Sequence, residues 1–136
     1  MLAIDADSFK SINDRFGHLA GDRALIEMVT TMRNVLPQNA SIGRLGGEDF
    51  GVLIPDCRPD NARGVAELTC NAIATSDVRW TDTQIPLSIS IGCACFNGEG
   101  YASIEDWLGD ADRALYAAKA SGGNRTCMAD GVGRAG

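Results

Sequence analysis

The chain has 136 residues and a formal charge of −6 at pH 7, from 12 basic and 18 acidic side chains. This length fits one compact domain and leaves little room for a second. With 45% hydrophobic and 22% charged residues, the composition is that of a globular protein and excludes a disordered chain. The excess of acid argues against nucleic acid as a partner, because phosphate backbones are bound by clustered cations.

Neither a membrane span nor a signal peptide is visible in the sequence. The longest uncharged run, residues 83–98, has 16 residues and contains Pro86 and Gly92, whereas a spanning helix needs roughly 18 or more apolar residues. The N-terminus reaches Asp5 where a signal peptide has basic and then apolar residues. We therefore expect a cytoplasmic chain with no direct membrane contact.

Cysteine and histidine counts restrict the metal chemistry. Five cysteines at irregular spacing make a poor disulfide framework. Cys93 and Cys95 share one face of an alternating apolar run, and we interpret them as small core residues. His18 is the only histidine, which excludes a multi-histidine site. A metal site must then use carboxylates, and carboxylates favour hard cations such as Mg²⁺.

The first half of the chain predicts a strand, a helix and a hairpin. Residues 1–4 are an apolar run, typical of a buried strand, followed by Asp5-Ala6-Asp7. Residues 19–36 have helical periodicity and end before Pro37. Short strands at 41–45 and 50–54 enclose Gly46-Gly47-Glu48-Asp49, a pattern typical of a β-hairpin. The apolar side chains expected to face the core from the helix are Leu25, Met28, Met32 and Val35.

The second half predicts two helices and two strands. Residues 59–75 form an amphipathic helix with Val65, Leu68 and Ala72 or Ile73 inward, and residues 85–95 alternate as a strand. Ser103-Ile104-Glu105-Asp106 approximates a capping box that begins a third helix, which ends at Gly122-Gly123. Residues 125–128 form a closing edge strand. The inner stripe predicted for the third helix is Trp107, Ala111, Ala114, Leu115 and Ala118.

The element order β-α-β-β-α-β-α-β predicts an α+β, ferredoxin-like fold, in which helices flank one mixed sheet. In that topology the end of the first strand lies beside the hairpin turn, so Asp5, Asp7, Glu48 and Asp49 are expected to converge. Four carboxylates without a nearby Lys or Arg repel one another, and a divalent cation relieves that repulsion. The pattern therefore predicts a magnesium site that positions nucleotide phosphates.

Each motif also has an ordinary structural explanation. Asp5-Ala6-Asp7 can be a turn or a helix cap, and Gly-Gly-Glu-Asp can be only a hairpin turn. Asn13-Asp14 can be a simple loop, His18 a structural histidine, and Lys119 a charge that opposes a helix dipole. Their occurrence together and in order, on a topology that brings the acids together, favours the functional interpretation.

Four segments resemble those of GGDEF-domain diguanylate cyclases, and the resemblance covers nearly the whole chain. The first is Asp5-Ala6-Asp7-Ser8-Phe9-Lys10-Ser11-Ile12-Asn13-Asp14 with its continuation to Asp22. The others are residues 44–50 (Arg-Leu-Gly-Gly-Glu-Asp-Phe), 88–92 (Ser-Ile-Ser-Ile-Gly) and 111–119 (Ala-Asp-Arg-Ala-Leu-Tyr-Ala-Ala-Lys).

The resemblance implies a nucleotidyl-cyclase/polymerase-palm type of fold and a specific reaction. Two GTP molecules condense to the bacterial second messenger cyclic di-GMP, and two pyrophosphates are released. Each domain binds one GTP, and two domains face each other as a homodimer. The expected cofactor is Mg²⁺ or Mn²⁺, and the full-length protein is expected to carry an upstream sensor domain for signal transduction.

The resemblance also assigns roles to individual positions. Asp5, Glu48 and the Ala6 carbonyl match the metal ligands, and Glu48 and Asp49 match the catalytic acids. Asn13 and Asp22 match the guanine-binding pair, whose donor and acceptor groups suit guanine. Phe9, Lys10, Lys119 and His18 complete the expected substrate-binding set. Lys10 and Lys119 are the only lysines in the chain, and both fall at phosphate-facing positions.

Four departures from the family pattern are visible. Asp49 stands where active members usually carry Glu, and Gly123 stands where an Arg usually helps to hold the triphosphate; Arg125 is a hypothetical substitute. The product-inhibition motif reads Pro37-Gln38-Asn39-Ala40 without its charges, so we expect no tight feedback binding of cyclic di-GMP. The usual N-terminal helix is missing, which predicts a fragment or a shortened variant with a catalytic domain at 1–128 and a disordered tail at 129–136.

Two alternatives to an active cyclase stay open. The first is a catalytically silent GGDEF-like module that binds GTP and has a regulatory or dimerisation role, an interpretation favoured by Asp49 and Gly123. The second is another carboxylate-metal nucleotidyltransferase of the same palm architecture. The cyclase is favoured by the retained residues Asp5, Glu48, Asn13, Asp22 and Lys119.

Overall fold

The computed structural model describes residues 1–96, 98 and 100–129. Within them lie four helices and seven strands, two of which form a small separate hairpin. In chain order these are β1 (Leu2–Ala6), α1 (Phe9–Phe16), α2 (His18–Val35), β2 (Ser41–Gly46), β3 (Asp49–Leu53), α3 (Pro59–Ala74), β4 (Arg79–Trp80), β5 (Thr83–Gln84), β6 (Ile89–Cys93), α4 (Ile104–Ala120) and β7 (Arg125–Met128).

The central sheet has the strand order β2-β3-β1-β6-β7. Strand β1 pairs antiparallel with β3 and with β6, and β6 pairs parallel with β7. The sheet is therefore mixed and helices flank it, which confirms the predicted ferredoxin-like α+β fold.

Alternation along β1 divides its side chains between the two faces of the sheet. Leu2 and Ile4 join the large core that also contains buried residues of α2 and α3. Ala3 packs with Ala111 of α4 in a second, smaller core. Asp5 follows Ala3 at a spacing of two and therefore lies on the α4 side. The strand thus directs its acidic end toward α4.

Helix α1 was missed, because the sequence pattern predicts no element over residues 8–16. Its eight residues bury only Ile12, so the sequence shows no repeated apolar stripe there. Gly17 separates α1 from α2 with φ +95, a conformation that favours glycine. The predicted helix 19–36 is confirmed as α2 with a shift of one residue at each end.

Two further expectations were wrong in detail. Leu68 is 56% exposed, whereas the predicted Ile73 is fully buried, and the other buried residues of α3 are the small ones Ala62, Ala66, Thr69 and Cys70. The strand predicted over 85–95 is limited to β6, since the Ile85 N–H donates to the Val78 carbonyl at 2.8 Å instead of joining the sheet. The hairpin of β4 and β5 was missed because each strand has only two residues.

The expectations for the C-terminal part agree better with the structure. The Ser103 side chain accepts a hydrogen bond from the Asp106 N–H at 3.2 Å, as expected of the capping residue of α4. The edge strand over 125–128 is confirmed as β7. Most of the tail predicted to be disordered, residues 130–136, lies outside the described residues. Among the described helices, none is long and apolar enough to cross a membrane.

Candidate active site

Three acidic side chains meet where β1 ends and the β2–β3 hairpin turns. Asp5 of β1 and Asp49 of β3 are register partners, and Glu48 lies in the turn just before Asp49. One carboxylate oxygen from each of these three residues lies within 4.8 Å of the others. The Ala6 N–H donates to the Glu48 carbonyl at 3.4 Å, which ties the strand end to the turn. The topology therefore brings together acids that are about forty residues apart in the sequence.

Asp5 is the most perturbed acid of this cluster. Burial raises the pKa of Asp5 to about 6, the nearby Asp49 carboxylate adds to the rise, and the Lys119 ammonium opposes it. Its Oδ2 accepts from the Lys119 ammonium at 2.7 Å. Its Oδ1 is buried and, within the described part of the chain, has no hydrogen-bond partner. A buried carboxylate oxygen without a partner is costly, and a ligand that supplies positive charge removes the cost.

The predicted convergence of four acids was wrong for Asp7. Its carboxylate accepts hydrogen bonds from the hydroxyls of Ser88 and Ser90 at 2.7 and 2.6 Å, and from the Asn124 N–H at 2.8 Å. Both carboxylate oxygens are therefore already engaged by the protein, and Asp7 is not part of the cluster. The topology predicted both acids at the end of the first strand, but it did not show which partners each would meet.

The premise that no basic residue neutralises the acids was also wrong. Lys119, in the last turn of α4, places its ammonium 2.7 Å from Asp5 and 3.8 Å from Asp7. The helix returns across the sheet and brings this lysine to the end of β1. Three clustered carboxylates still face one ammonium, so the charge is only partly compensated.

The predicted guanine-binding pair is placed by the packing of α1 against α2. Asn13 lies on α1 against Gly21, where a Cβ atom would overlap the Asn13 side chain. Asp22, the next residue after Gly21, is exposed. The ring of Phe9 also approaches Gly21, since an added Cβ would lie 3.2 Å from its Cζ. Glycine at this position therefore allows the close approach that puts Asn13 beside the start of α2.

The remaining predicted substrate positions lie near the N-termini of these two helices. Lys10 is exposed on the first turn of α1, and His18 is exposed on the first turn of α2. The first backbone bond of α1 runs from the Ile12 N–H to the Ser8 carbonyl. The amides that precede Ile12 in α1 thus point out of the helix N-terminus, an arrangement suited to anions.

A cavity of about 470 Å³ extends from the acidic cluster along α4. Leu45, Asp112 and Tyr116 line it together with Asp5 and Asp49. Burial raises the pKa of Asp112, and the Asp49 carboxylate adds to the rise. Leu45 and Tyr116 are 55% and 76% exposed. The sequence analysis did not predict these three as site residues, although all lie within the segments that resemble GGDEF domains.

The two positions considered for triphosphate binding lie in the turn after α4. Gly123 has φ +73 and offers no side chain, and a Cβ there would lie 3.0 Å from the Asp7 carboxylate. The Arg125 guanidinium Nε donates to the Gly123 carbonyl at 3.0 Å, so this side chain folds back on the turn.

The residues present fit a hard divalent cation. Carboxylate oxygens are the preferred ligands of Mg²⁺ and Mn²⁺, and the cluster offers one from each of Asp5, Glu48 and Asp49. The Oδ1 of Asp5, which has no hydrogen-bond partner in the described parts of the chain, is the oxygen that most needs such a ligand.

The sequence of this chain is similar to those of known proteins. The family profile described as "Diguanylate cyclase, GGDEF domain" matches residues 1–125. The Escherichia coli proteins named probable diguanylate cyclase DgcC and DgcE are 37% and 34% identical over 95% and 94% of this chain. The chain spans only 34% and 12% of their respective lengths.

Solved structures show the same fold. The active GGEEF domain of a diguanylate cyclase from Vibrio cholerae superposes with a TM-score of 0.86 at 30% identity, covering 95% of this chain and 81% of that chain. The GGDEF domain of YfiN from Pseudomonas aeruginosa gives a TM-score of 0.87 at 33% identity, covering 95% and 75%.

Proposed function

Because the chain belongs to the GGDEF domain family, we propose that it is a diguanylate cyclase domain that condenses two GTP molecules to cyclic di-GMP. In this reaction each 3′-hydroxyl oxygen bonds to the α-phosphorus of the other nucleotide. The α–β phosphoanhydride bond breaks and pyrophosphate leaves, so two pyrophosphates and two hydroxyl protons are released per product. The observation that carries the proposal is the cluster of Asp5, Glu48 and Asp49, with a buried Asp5 oxygen that no described residue hydrogen-bonds.

The acidic cluster is proposed to bind Mg²⁺ or Mn²⁺ through Asp5, Glu48 and the Ala6 carbonyl. The bound cation supplies charge neutralisation at the phosphates and polarises the phosphoryl group. Asp49 adds a third carboxylate at the side of the cluster that faces the cavity along α4. We assign Glu48 and Asp49 as the acids closest to the reacting groups.

GTP is proposed to lie between α1 and the acidic cluster. Asn13 and Asp22 bind the guanine edge, and Phe9 packs beside them. The N-terminal amides of α1 with Lys10 and Lys119 bind the phosphates, and His18 completes the substrate-binding set. This placement lets a chain of net charge −6 bind a polyanion, because the local cations and the metal outweigh the overall charge.

Catalysis is proposed to require two copies of the domain, since one bound GTP must meet another in antiparallel orientation. Leu45 and Tyr116 are apolar or aromatic, highly exposed and adjacent to the acidic cluster. They fit the face on which the second domain and its nucleotide are presented. An upstream sensor domain is proposed on the ground that the curated relatives are about three to eight times longer than the matched segment.

The second candidate function is a GTP-binding module without cyclase activity. Gly123 supports it, because no side chain is available there to hold the triphosphate. Asp49 supports it less, since its carboxylate does reach the cluster despite being one methylene shorter than glutamate.

The test is to incubate the purified protein with GTP and Mg²⁺ or Mn²⁺ and to detect cyclic di-GMP by mass spectrometry. We expect product, with a rate that rises as the square of protein concentration while the domain is mostly monomeric. Binding of GTP without product at high protein concentration would favour the silent module. The same assay with added cyclic di-GMP should show no strong inhibition, because the 37–40 turn lacks the charged residues of the inhibition motif.

A further inference from the structure

Asp7, the residue after β1, joins three separate parts of the chain. Its carboxylate accepts hydrogen bonds from the Ser88 hydroxyl at 2.7 Å, the Ser90 hydroxyl at 2.6 Å and the Asn124 N–H at 2.8 Å. The Lys119 ammonium lies 3.8 Å from its Oδ1. These partners come from β6 and the residues before it, from α4 and from the turn before β7. Asp7 is therefore held in a fixed position next to the acidic cluster.

The turn between α4 and β7 is packed directly on this carboxylate. Residues 122–124 have successive φ values of +117, +73 and +50, so the backbone is left-handed through the turn. A Cβ atom on Gly123 would lie 3.0 Å from the carboxylate carbon of Asp7, closer than side chains normally approach. The missing side chain at position 123 thus allows the Asn124 N–H to reach Asp7.

Lys119 is held between two carboxylates that differ in their other contacts. Its ammonium is 2.7 Å from Asp5, whose other oxygen has no hydrogen-bond partner among the described residues, and 3.8 Å from the fully engaged Asp7. A lysine ammonium is a point charge on a flexible four-carbon stem, so it needs anchors to stay in place. Of these two carboxylates, Asp5 is a proposed metal ligand and Asp7 is not, so Asp7 stays available to hold the ammonium.

We propose that Asp7 is a positioning residue that holds the Lys119 ammonium and the turn at residues 122–124 where the terminal phosphates of the nucleotide bind. This inference rests on the proposed function, in which Lys119 contacts those phosphates. When Asp5 serves as a metal ligand, Asp7 remains as the anionic partner of the ammonium. The lysine is then kept beside the phosphates instead of moving into solvent.

The main test is Asp7→Asn, which keeps the side-chain shape but removes the charge and one acceptor oxygen. Titration calorimetry in Mg²⁺ would compare an α,β-methylene analogue of GTP, which cannot turn over, with GMP, which lacks the terminal phosphates. We expect about a 10-fold weaker affinity for the analogue, since a charge-assisted contact is lost. The affinity for GMP should change by less than about twofold. Asp77→Asn is the matched control, because Asp77 is an exposed acid paired with Arg79.

Two further measurements keep the test decisive. Hydrogen exchange at the Asn124 amide, without nucleotide, should be faster in Asp7→Asn than in the wild type. Ser88→Ala removes one hydrogen bond to Asp7 and keeps its charge. It should also weaken binding of the analogue, by a smaller factor than Asp7→Asn. This variant replaces Asp7→Asn in the test if Asp7→Asn does not fold.

Unchanged exchange at Asn124, or equal losses of affinity for the analogue and for GMP, would overturn the positioning role. Wild-type protein that does not bind the analogue at all would instead refute the proposed function, and the role of Asp7 toward the phosphates with it.

Discussion

Acidic side chains form two groups along α4: Asp110 by itself in the first half, and the acidic cluster beside the last turn. In the first half, Asp110 is 3% exposed, and its carboxylate accepts hydrogen bonds from the Tyr101 hydroxyl at 2.7 Å and from the Arg113 guanidinium. Beside the last turn, the acidic cluster of Asp5, Glu48 and Asp49 meets a single ammonium, that of Lys119.

The difference between the two groups lies in how far the protein itself compensates the negative charge. Asp110 has its partners within the chain, and it joins the segment before α4 to the helix. The acidic cluster leaves a buried oxygen of Asp5 without a partner among the described residues. A compensated acid contributes to the stability of the fold, whereas an uncompensated cluster reduces stability and is suited to binding a cation.

The largest effect that separates the two groups is expected from Glu48→Gln. Loss of one ligand charge should lower the rate of cyclic di-GMP formation by about 10³-fold, because metal polarisation of the phosphate contributes several kcal/mol. The midpoint of thermal unfolding should change little, since Glu48 lies in a turn. Initial rates measured by mass spectrometry check this, with Glu67→Gln on the exposed face of α3 as the control. A rate close to that of the wild type would remove Glu48 from the site.

The second largest effect is expected from Asp49→Glu, which extends the third acid of the cluster by one methylene. If the shorter side chain misplaces the carboxylate by about an ångström, the rate should rise by up to about 10²-fold. Asp49→Asn is the matched control and should lower the rate. An unchanged rate in Asp49→Glu would show that the reach of Asp49 does not limit turnover.

Substitution of the compensated acid, Asp110, should affect stability and leave the reaction rate unchanged. Asp110→Asn is expected to lower the free energy of unfolding by about 2 kcal/mol, because a charged hydrogen-bond acceptor is lost inside the protein. The rate per folded molecule should stay unchanged. Asp5→Asn, in contrast, should leave the free energy of unfolding equal or higher, because it removes a desolvated charge. Urea unfolding followed by circular dichroism measures both, and a clear loss of stability in Asp5→Asn would contradict the comparison.

The smallest effect concerns pH. The pKa of Asp5 is raised to about 6, so the group is mostly ionised at pH 7 and mostly protonated at pH 5. Mn²⁺ affinity should therefore fall by about tenfold between these pH values. The free energy of unfolding of the metal-free protein should instead be higher at pH 5 than at pH 7. A raised pKa contributes stability that is present at low pH and is lost as pH rises through about 6. The Asp5→Asn variant should show neither dependence.

The sequence was sufficient to predict the sheet, three of the helices and all three members of the acidic cluster, to which Asp7 was wrongly added. Hydrophobic periodicity is strong in α2, and the capping residue Ser103 marks the start of α4. The hairpin turn identified Glu48 and Asp49, and the topology placed Asp5 beside them. These features depend on local patterns and on a familiar connection order, both of which can be read from one chain.

What could not be predicted depends on contacts between distant residues. The separation of Asp5 from Asp7 follows from which hydroxyls and amides each meets, and Ser90 and Asn124 are far from Asp7 in sequence. The approach of Lys119 requires the exact position of α4 on the sheet. Helix α1 buries a single residue, so its periodicity is too weak to detect.

The most direct test of the account is a calorimetric titration with Mn²⁺ in the presence of the α,β-methylene analogue of GTP. The wild type and Asp110→Asn should bind Mn²⁺ with equal affinity, whereas Asp5→Asn and Glu48→Gln should bind it at least about tenfold more weakly. That result would assign the cation to the uncompensated acids at the end of β1. Equal Mn²⁺ affinity in the wild type and in both cluster variants would contradict the central claim.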